Sequence, residues 1–232
     1  ITNTLSVSTA LLRNVTVSGS VPVVYKYDKL GTEQEKTVTD IGDISLGVKY
    51  QPWKATNNWP TPIFNANLST PTGRGEYDIN PEQELSTGSG LYSLSTGVST
   101  SYPIDPVNVF GSLSYGYSFP REDIGQNRQQ GRLEKVEPGD SISANMGFGY
   151  ALSYRTSLSI SYSYSYSKAT KYHWAGGSTT TGRETISSSF GLSTSWRITP
   201  ERTIIIGVSK GLTNDSQDFG LSLRMPLEFN LR

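Results

Sequence analysis

The chain has no cysteine, a single histidine, and no surplus charge, since Lys plus Arg equals Asp plus Glu at 20 each. Without thiols there is no disulfide framework and no thiolate ligand, and His173 alone cannot build an imidazole site. No spaced carboxylate set takes the place of those ligands, so neither a metal nor another cofactor is expected. Balanced charge leaves no basic surface for nucleic acid. No apolar run approaches the roughly 20 residues of a membrane-crossing helix. The start of the sequence lacks a charged segment followed by an apolar core, so any signal peptide is expected upstream of Ile1. At 232 residues the chain is long enough for one large β domain, and residues 1–232 are read as such.

What the sequence does have is alternation. In Leu158–Tyr166, Ser159, Ser161, Ser163 and Ser165 fall on one side of an extended strand. Leu158, Ile160, Tyr162, Tyr164 and Tyr166 fall on the other. A helix would scatter both sets around its circumference. The same pattern places Leu5 and Val7 against Ser6 and Ser8, and Val17 against Ser18. It recurs as Leu46 and Val48 against Asp43, Gly47 and Lys49, and as Leu94 and Val98 against Ser95 and Gly97. Further on, Leu113, Tyr115 and Tyr117 oppose Ser114, with Phe110 and Gly111 each on the unexpected side; Met146 and Phe148 oppose Asn145 and Gly147. Towards the end, Phe190, Leu192 and Trp196 oppose Ser189, Ser193 and Arg197, and Phe219 and Phe229 share a side opposite Arg224 and Glu228. About eleven strands result, the spacing of an all-β chain.

The joins between strands alternate in length. Arg13-Asn14, 102–106, 154–155 and 199–202 are short, with 51–62 a longer member of that set; 28–40, 71–89, 120–139 and 175–184 are long and polar, with 213–218 a short member of theirs. Short turns on one rim and long loops on the other belong to a transmembrane antiparallel up-and-down β-barrel of a bacterial outer membrane. The charged stretch 120–139 then reads as a solvated outer loop. Aromatics near strand ends, among them Tyr117, Trp196 and Phe229, read as interfacial girdles, with Tyr115, Phe148 and Phe219 also facing lipid. The Ser- and Gly-bearing face, with Asp43, Lys49, Arg197, Arg224 and Glu228, reads as the lining of a water-filled pore. Even strand number in such barrels predicts about twelve strands, with one more upstream.

Three segments carry a family resemblance: DIGDISLGVKYQ at 40–51, LSTPTG at 68–73 and TGSGLYSLSTGVS at 87–99. They resemble the outer-membrane barrel family named for the phenol-degradation meta pathway, and most closely its Fap functional-amyloid secretion channel. That resemblance implies twelve strands, a homotrimer and, upstream, a helical plug and coiled coil. It also implies export of unfolded amyloid subunits to the Gram-negative cell surface, in biofilm. The expected function is therefore an outer-membrane channel for an unfolded polypeptide, with membrane lipid as its surroundings. The alternative is passive uptake of small aromatic or hydrophobic solutes. A lower alternative is a barrel enzyme using His173, near the outer end of its strand on the pore side, although no nucleophile, base and orienter visibly converge. A soluble adhesive β protein, with its apolar faces turned inward, ranks below these.

The face assignment is testable within one strand. Tyr162→Lys is expected to block assembly, since a cation facing mid-bilayer lipid costs roughly 2–4 kcal/mol. Ser161→Lys is expected to fold and alter conductance, and heat-modifiable gel mobility reads both outcomes.

Overall fold

The structure is a computed structural model that describes residues 1–30, 34–53, 59–80, 83–128, 130–199 and 202–225. Among these residues sixteen strands form: β1 (Thr2–Leu12), β2 (Val15–Leu30), β3 (Gln34–Ile41), β4 (Ile44–Tyr50), β5 (Thr61–Thr70), β6 (Ser93–Ile104), β7 (Val107–Ser118) and β8 (Gln126–Arg128). They continue as β9 (Gly131–Glu137), β10 (Ser141–Ala151), β11 (Thr156–Ser167), β12 (Lys171–Trp174), β13 (Thr179–Thr181), β14 (Thr185–Thr199), β15 (Arg202–Gly211) and β16 (Phe219–Arg224). No helix forms among the described residues.

The main sheet is antiparallel and follows chain order, β1-β2-β4-β5-β6-β7-β10-β11-β14-β15-β16, with β3 as a twelfth strand paired to β2. β3 and β4 both lie along β2, through Tyr25↔Thr39 and Val17↔Val48, so they act as one long strand broken at Gly42-Asp43. The strands expected from alternation are therefore present. The join expected at 28–40 is instead the end of a long hairpin: β2 has 16 residues, against the 9–11 that span a bilayer, and its outer half projects beyond. β1 and β16 lie at opposite ends of the path and run in the same direction, so an antiparallel closure between them takes one further strand.

The register keeps like with like. Between β10 and β11, Asn145 lies opposite Ser163 and Gly147 opposite Ser161, while Met146 faces Tyr162 and Phe148 faces Ile160. Across the sheet the apolar side is the open one: Met146 is 57% exposed, Leu113 53% and Leu221 73%. The Ser and Gly side is the sheltered one, half-buried along β10, β11 and β14. In a soluble sandwich the apolar sides would bury each other. Here, among the described residues, they have no protein partner, as in a sheet whose apolar side faces lipid.

A compact hydrophobic core does form, beyond the long-join rim. A second sheet of order β13-β12-β9-β8 packs Leu133 and Val136, both at 0% exposure, against Tyr77 and Trp174. The expectation of a solvated loop at 120–139 is corrected accordingly. β12 pairs His173 with Lys135 and Trp174 with Leu133, skipping Glu134. That bulge resets the alternation, so Leu133 and Val136, three apart, reach the same core. Loop 71–92 is stitched to this cap and to the sheet. Arg121 pairs with Asp78 and donates to the Gly90 carbonyl at 2.9 Å, and Gln126 Nε2 donates to the Glu76 carbonyl at 2.9 Å.

Leu133→Ala is expected to destabilise this cap by about 2–5 kcal/mol while leaving the main sheet assembled. Limited proteolysis should then cut within 119–140 while heat-modifiable gel mobility is unchanged.

Candidate functional site: the sheltered face and its cap

Serines facing one another across an antiparallel pair stand close enough to exchange hydroxyl hydrogen bonds. Ser157 and Ser195 are 2.6 Å apart, Ser163 and Ser189 2.7 Å, and Ser20 and Ser45 2.6 Å. Each hydroxyl satisfies a neighbour and keeps capacity for water, so the serine ladders make the face polar without adding charge. Ser159 lies opposite Ser193 and Gly149, Ser165 opposite Ser143 and Ser187, and Ser114 opposite Gly97 and Ser143. Ser95 sits between Gly116 and Asn67 on the same face. Glycines make room for these side chains: a Cβ on Gly97 would fall 2.9 Å from the Leu113 carbonyl oxygen.

Bulky apolar side chains also stand on the polar face, among them Phe110, Ile63 and Ile205, the last opposite Ser195. Unbroken pairing along β7 puts Phe110 opposite Ser101 and Gly147, on the sheltered side, and Gly111 on the exposed side. Ile63 of β5 lies opposite Ser99, so Ile63 and Phe110 flank β6 from either side. Both line one cavity of about 520 Å³ with Gln51, Pro103 and Asn145. Phe110 fits only because position 147 is glycine: a Cβ there would stand 2.6 Å from Phe110 Cζ. Sequence alternation had flagged Phe110, while Ile63 lay just outside the segment read as β5.

The charged residues are less uniform. Asp43 sits at the break between β3 and β4 and accepts hydrogen bonds from the Gly73 amide at 3.2 Å and from Ser89 N–H and Oγ at 2.7 Å each. It pins loop 71–92 to the sheet, a different task from lining open water. Lys49 lies opposite Thr16 and Asn65 on the polar side and is exposed. Arg197 lies at the short-turn rim, in a cavity with Asp105 and Arg155, and Arg224 is on the edge strand opposite Ile205. Tyr115, Tyr117, Phe148, Trp196 and Phe219 are exposed on the apolar face, and Tyr162, Tyr164 and Tyr166 are half-buried there among their neighbours. Glu228 and Phe229 lie outside the described residues.

His173 is not on the main sheet. It belongs to β12 in the cap, with Nδ1 3.1 Å from Thr179 Oγ1 and Nε2 3.5 Å from Glu137 Oε1. Thr179 is its direct cross-strand partner, so this contact follows from register. Glu137 also meets Lys135 Nζ at 3.1 Å, and Lys135 reaches Glu122 at 2.8 Å. The Lys135 hydrogen bond holds the Glu137 carboxyl below its usual range, and the Glu122 and Glu137 contacts hold the Lys135 ammonium above its own. Burial, together with a hydrogen bond to Glu76, pushes the Tyr77 phenol up. Among the described residues no group of three or more His, Cys, Asp or Glu could hold a metal ion.

Comparison with known proteins places this geometry. The family described as MetA-pathway of phenol degradation matches residues 2–229. Two solved structures from Pseudomonas putida share the fold. An outer-membrane channel from strain F1 aligns with TM-score 0.62 at 12% identity, over 97% of this chain and 79% of its own. The toluene transporter TodX aligns with TM-score 0.56 at 9% identity, over 98% of this chain and 73% of its own. The chain has the fold of outer-membrane channels.

The cap's ionic contacts set a pH window. Glu137, with its carboxyl held low, stabilises the fold fully above about pH 4.3 and loses that stabilisation as pH falls through its folded value. Lys135, held high, contributes fully below about pH 10.4 and loses it as pH rises through its folded value. Amide protection in 131–137, corrected for the intrinsic exchange rate, is therefore expected to fall as the pH drops below about 4.3. Glu137→Gln should exchange faster at neutral pH and show a smaller acid step.

Proposed function

We propose, for a chain that belongs to the phenol-degradation MetA-pathway family, an outer-membrane channel for passive uptake of small aromatic or hydrophobic solutes. The observation that carries this reading is the cavity at Ile63 and Phe110, whose apolar side chains stand among Ser99, Ser101, Ser112 and Asn145 on a face rich in Ser and Gly. A serine- and glycine-lined passage by itself suits any polar traveller. A phenyl ring held in that lining by Gly147 supplies dispersion and stacking to a ring-bearing solute at one point along the way. Polar neighbours on both sides keep that contact from becoming a trap, the balance that conduction requires.

The fold neighbours support this reading, because one of them transports toluene. Export of an unfolded amyloid subunit and a trimeric assembly draw no support from them or from the cavity. An extended polypeptide would meet apolar surface there. His173, tied into the cap sheet, has a structural task in this reading, and no enzymatic step is assigned to it.

The test is a pair of measurements on one protein. Planar-bilayer recordings should show a small conductance, and proteoliposomes should take up phenol faster than protein-free vesicles. Phe110→Ser is expected to raise ion conductance while lowering the phenol uptake rate several-fold. Absence of both current and uptake in the unsubstituted protein would sink the channel reading.

A further inference from the structure

The cap holds a second cavity, of about 620 Å³, which the passage along the sheltered face does not include. One wall is aromatic: the Tyr172 and Trp174 rings lie 6.5 Å apart at 31°. Ile79 and Leu85 supply aliphatic surface, and Arg128 supplies a cation. Buried Gln126 fixes that cation. Its Nε2 donates to the carbonyls of Glu76 and Ile79 at 2.9 and 2.5 Å, which turns its Oε1 towards Arg128 Nε at 2.8 Å. Arg128 Cζ also lies 5.6 Å from the Tyr77 ring centroid.

Charge in the lining is unevenly matched. Glu84 meets Arg74 at 3.6 Å and accepts the Asn80 amide at 3.2 Å, and Glu76 accepts the Tyr77 phenol. Arg128, in contrast, has no carboxylate within ion-pair distance among the described residues. Its Nε is taken by a neutral amide, and its two terminal nitrogens have no hydrogen-bond acceptor among those residues. A guanidinium edge presents two parallel N–H donors that match one carboxylate. The volume suits a ligand of one or two rings.

We propose that this cavity binds small aromatic carboxylates at the outer surface, with the ring against Tyr172 and Trp174 and the carboxylate on Arg128. The proposal deepens the uptake reading and rests on it for its purpose: a site at the outer mouth raises the local concentration of solute. A neutral hydrocarbon would use the aromatic wall and leave the guanidinium unmatched.

Benzoate and its neutral isostere benzamide serve as probes, titrated calorimetrically into the full chain in non-aromatic detergent, with empty micelles as the blank. Benzoate is expected to bind at least tenfold more tightly than benzamide at pH 7. Arg128→Gln should abolish that preference and Arg128→Lys should keep part of it, with heat-modifiable gel mobility confirming assembly of each. Equal affinities in the unsubstituted protein overturn the proposal, and so does a benzoate preference that survives in Arg128→Gln. Phenol uptake by proteoliposomes from the same preparation separates the two readings. Uptake without a benzoate preference removes the site alone, and a preference without uptake removes the channel alone.

Discussion

Everything in this fold depends on an apolar sheet face that the protein itself never covers. Strand pairing satisfies the backbone, and period-two alternation sends Met146, Leu113 and Leu192 to one side without a packing partner. In water such a surface would drive aggregation. In a bilayer it is the matched surface, and its burial in lipid fixes which side of every strand must be polar. The serine ladders follow from that choice. Side chains on the sheltered side need to be small, because they crowd together, and self-satisfying, because few charges are available to organise water. Ser157 with Ser195 and Ser163 with Ser189 meet both demands with one hydroxyl per residue.

Beyond the bilayer the usual rules of soluble proteins return, and the chain changes its chemistry accordingly. The cap buries Leu133, Val136, Tyr77 and Trp174 together and sets ion pairs beside them. Asp43 is the hinge between the two regimes. It stands where β3 gives way to β4 and ties Gly73 and Ser89 to the sheet through three hydrogen bonds. Glycines let the strands and loop approach there: a Cβ on Gly88 would fall 2.2 Å from Asp43 Oδ1, and one on Gly73 would fall 3.0 Å from the Gly42 backbone.

The sequence discloses these two regimes unequally. Strands with lipid on one side repeat a strict alternation, so the spanning strands and the faces of Phe110, Ser161 and Tyr162 are legible directly. In the cap, the bulge at Glu134 breaks the period, and Leu133 and Val136, set among Arg132, Glu134, Lys135 and Glu137, read as a solvated charged run. β3 is hidden for another reason: its outward extension of the hairpin has no lipid to demand a pattern. Asp43 alternates in step with Ser45 and Gly47, but its partners lie about 30 and 46 residues away, and no local pattern announces them. Arg128 is invisible for the same reason, since its lack of a carboxylate partner among the described residues follows from three-dimensional packing.

Ile63 and Phe110 show how the constraint on the outer face and the chemistry of the inner one are coupled. Placing a phenyl ring among serines forfeits the hydroxyl ladder at that point, because Ser101 then turns to Asn108 Oδ1 at 2.8 Å. It also commits position 147 to glycine, on a strand whose neighbouring residues, Met146 and Phe148, already face lipid. A side chain at 147 would push the ring back towards β6 or distort β10, and either change would be transmitted to the lipid-facing register. A Cβ at 147 would also stand 2.4 Å from the Ile160 carbonyl oxygen, so enlarging Gly147 to Ala should strain the β10–β11 pairing together with Phe110. Gly97 and Gly191 carry no such aromatic neighbour, so the apolar cavity is a local specialisation of the polar face and not a by-product of closing the sheet.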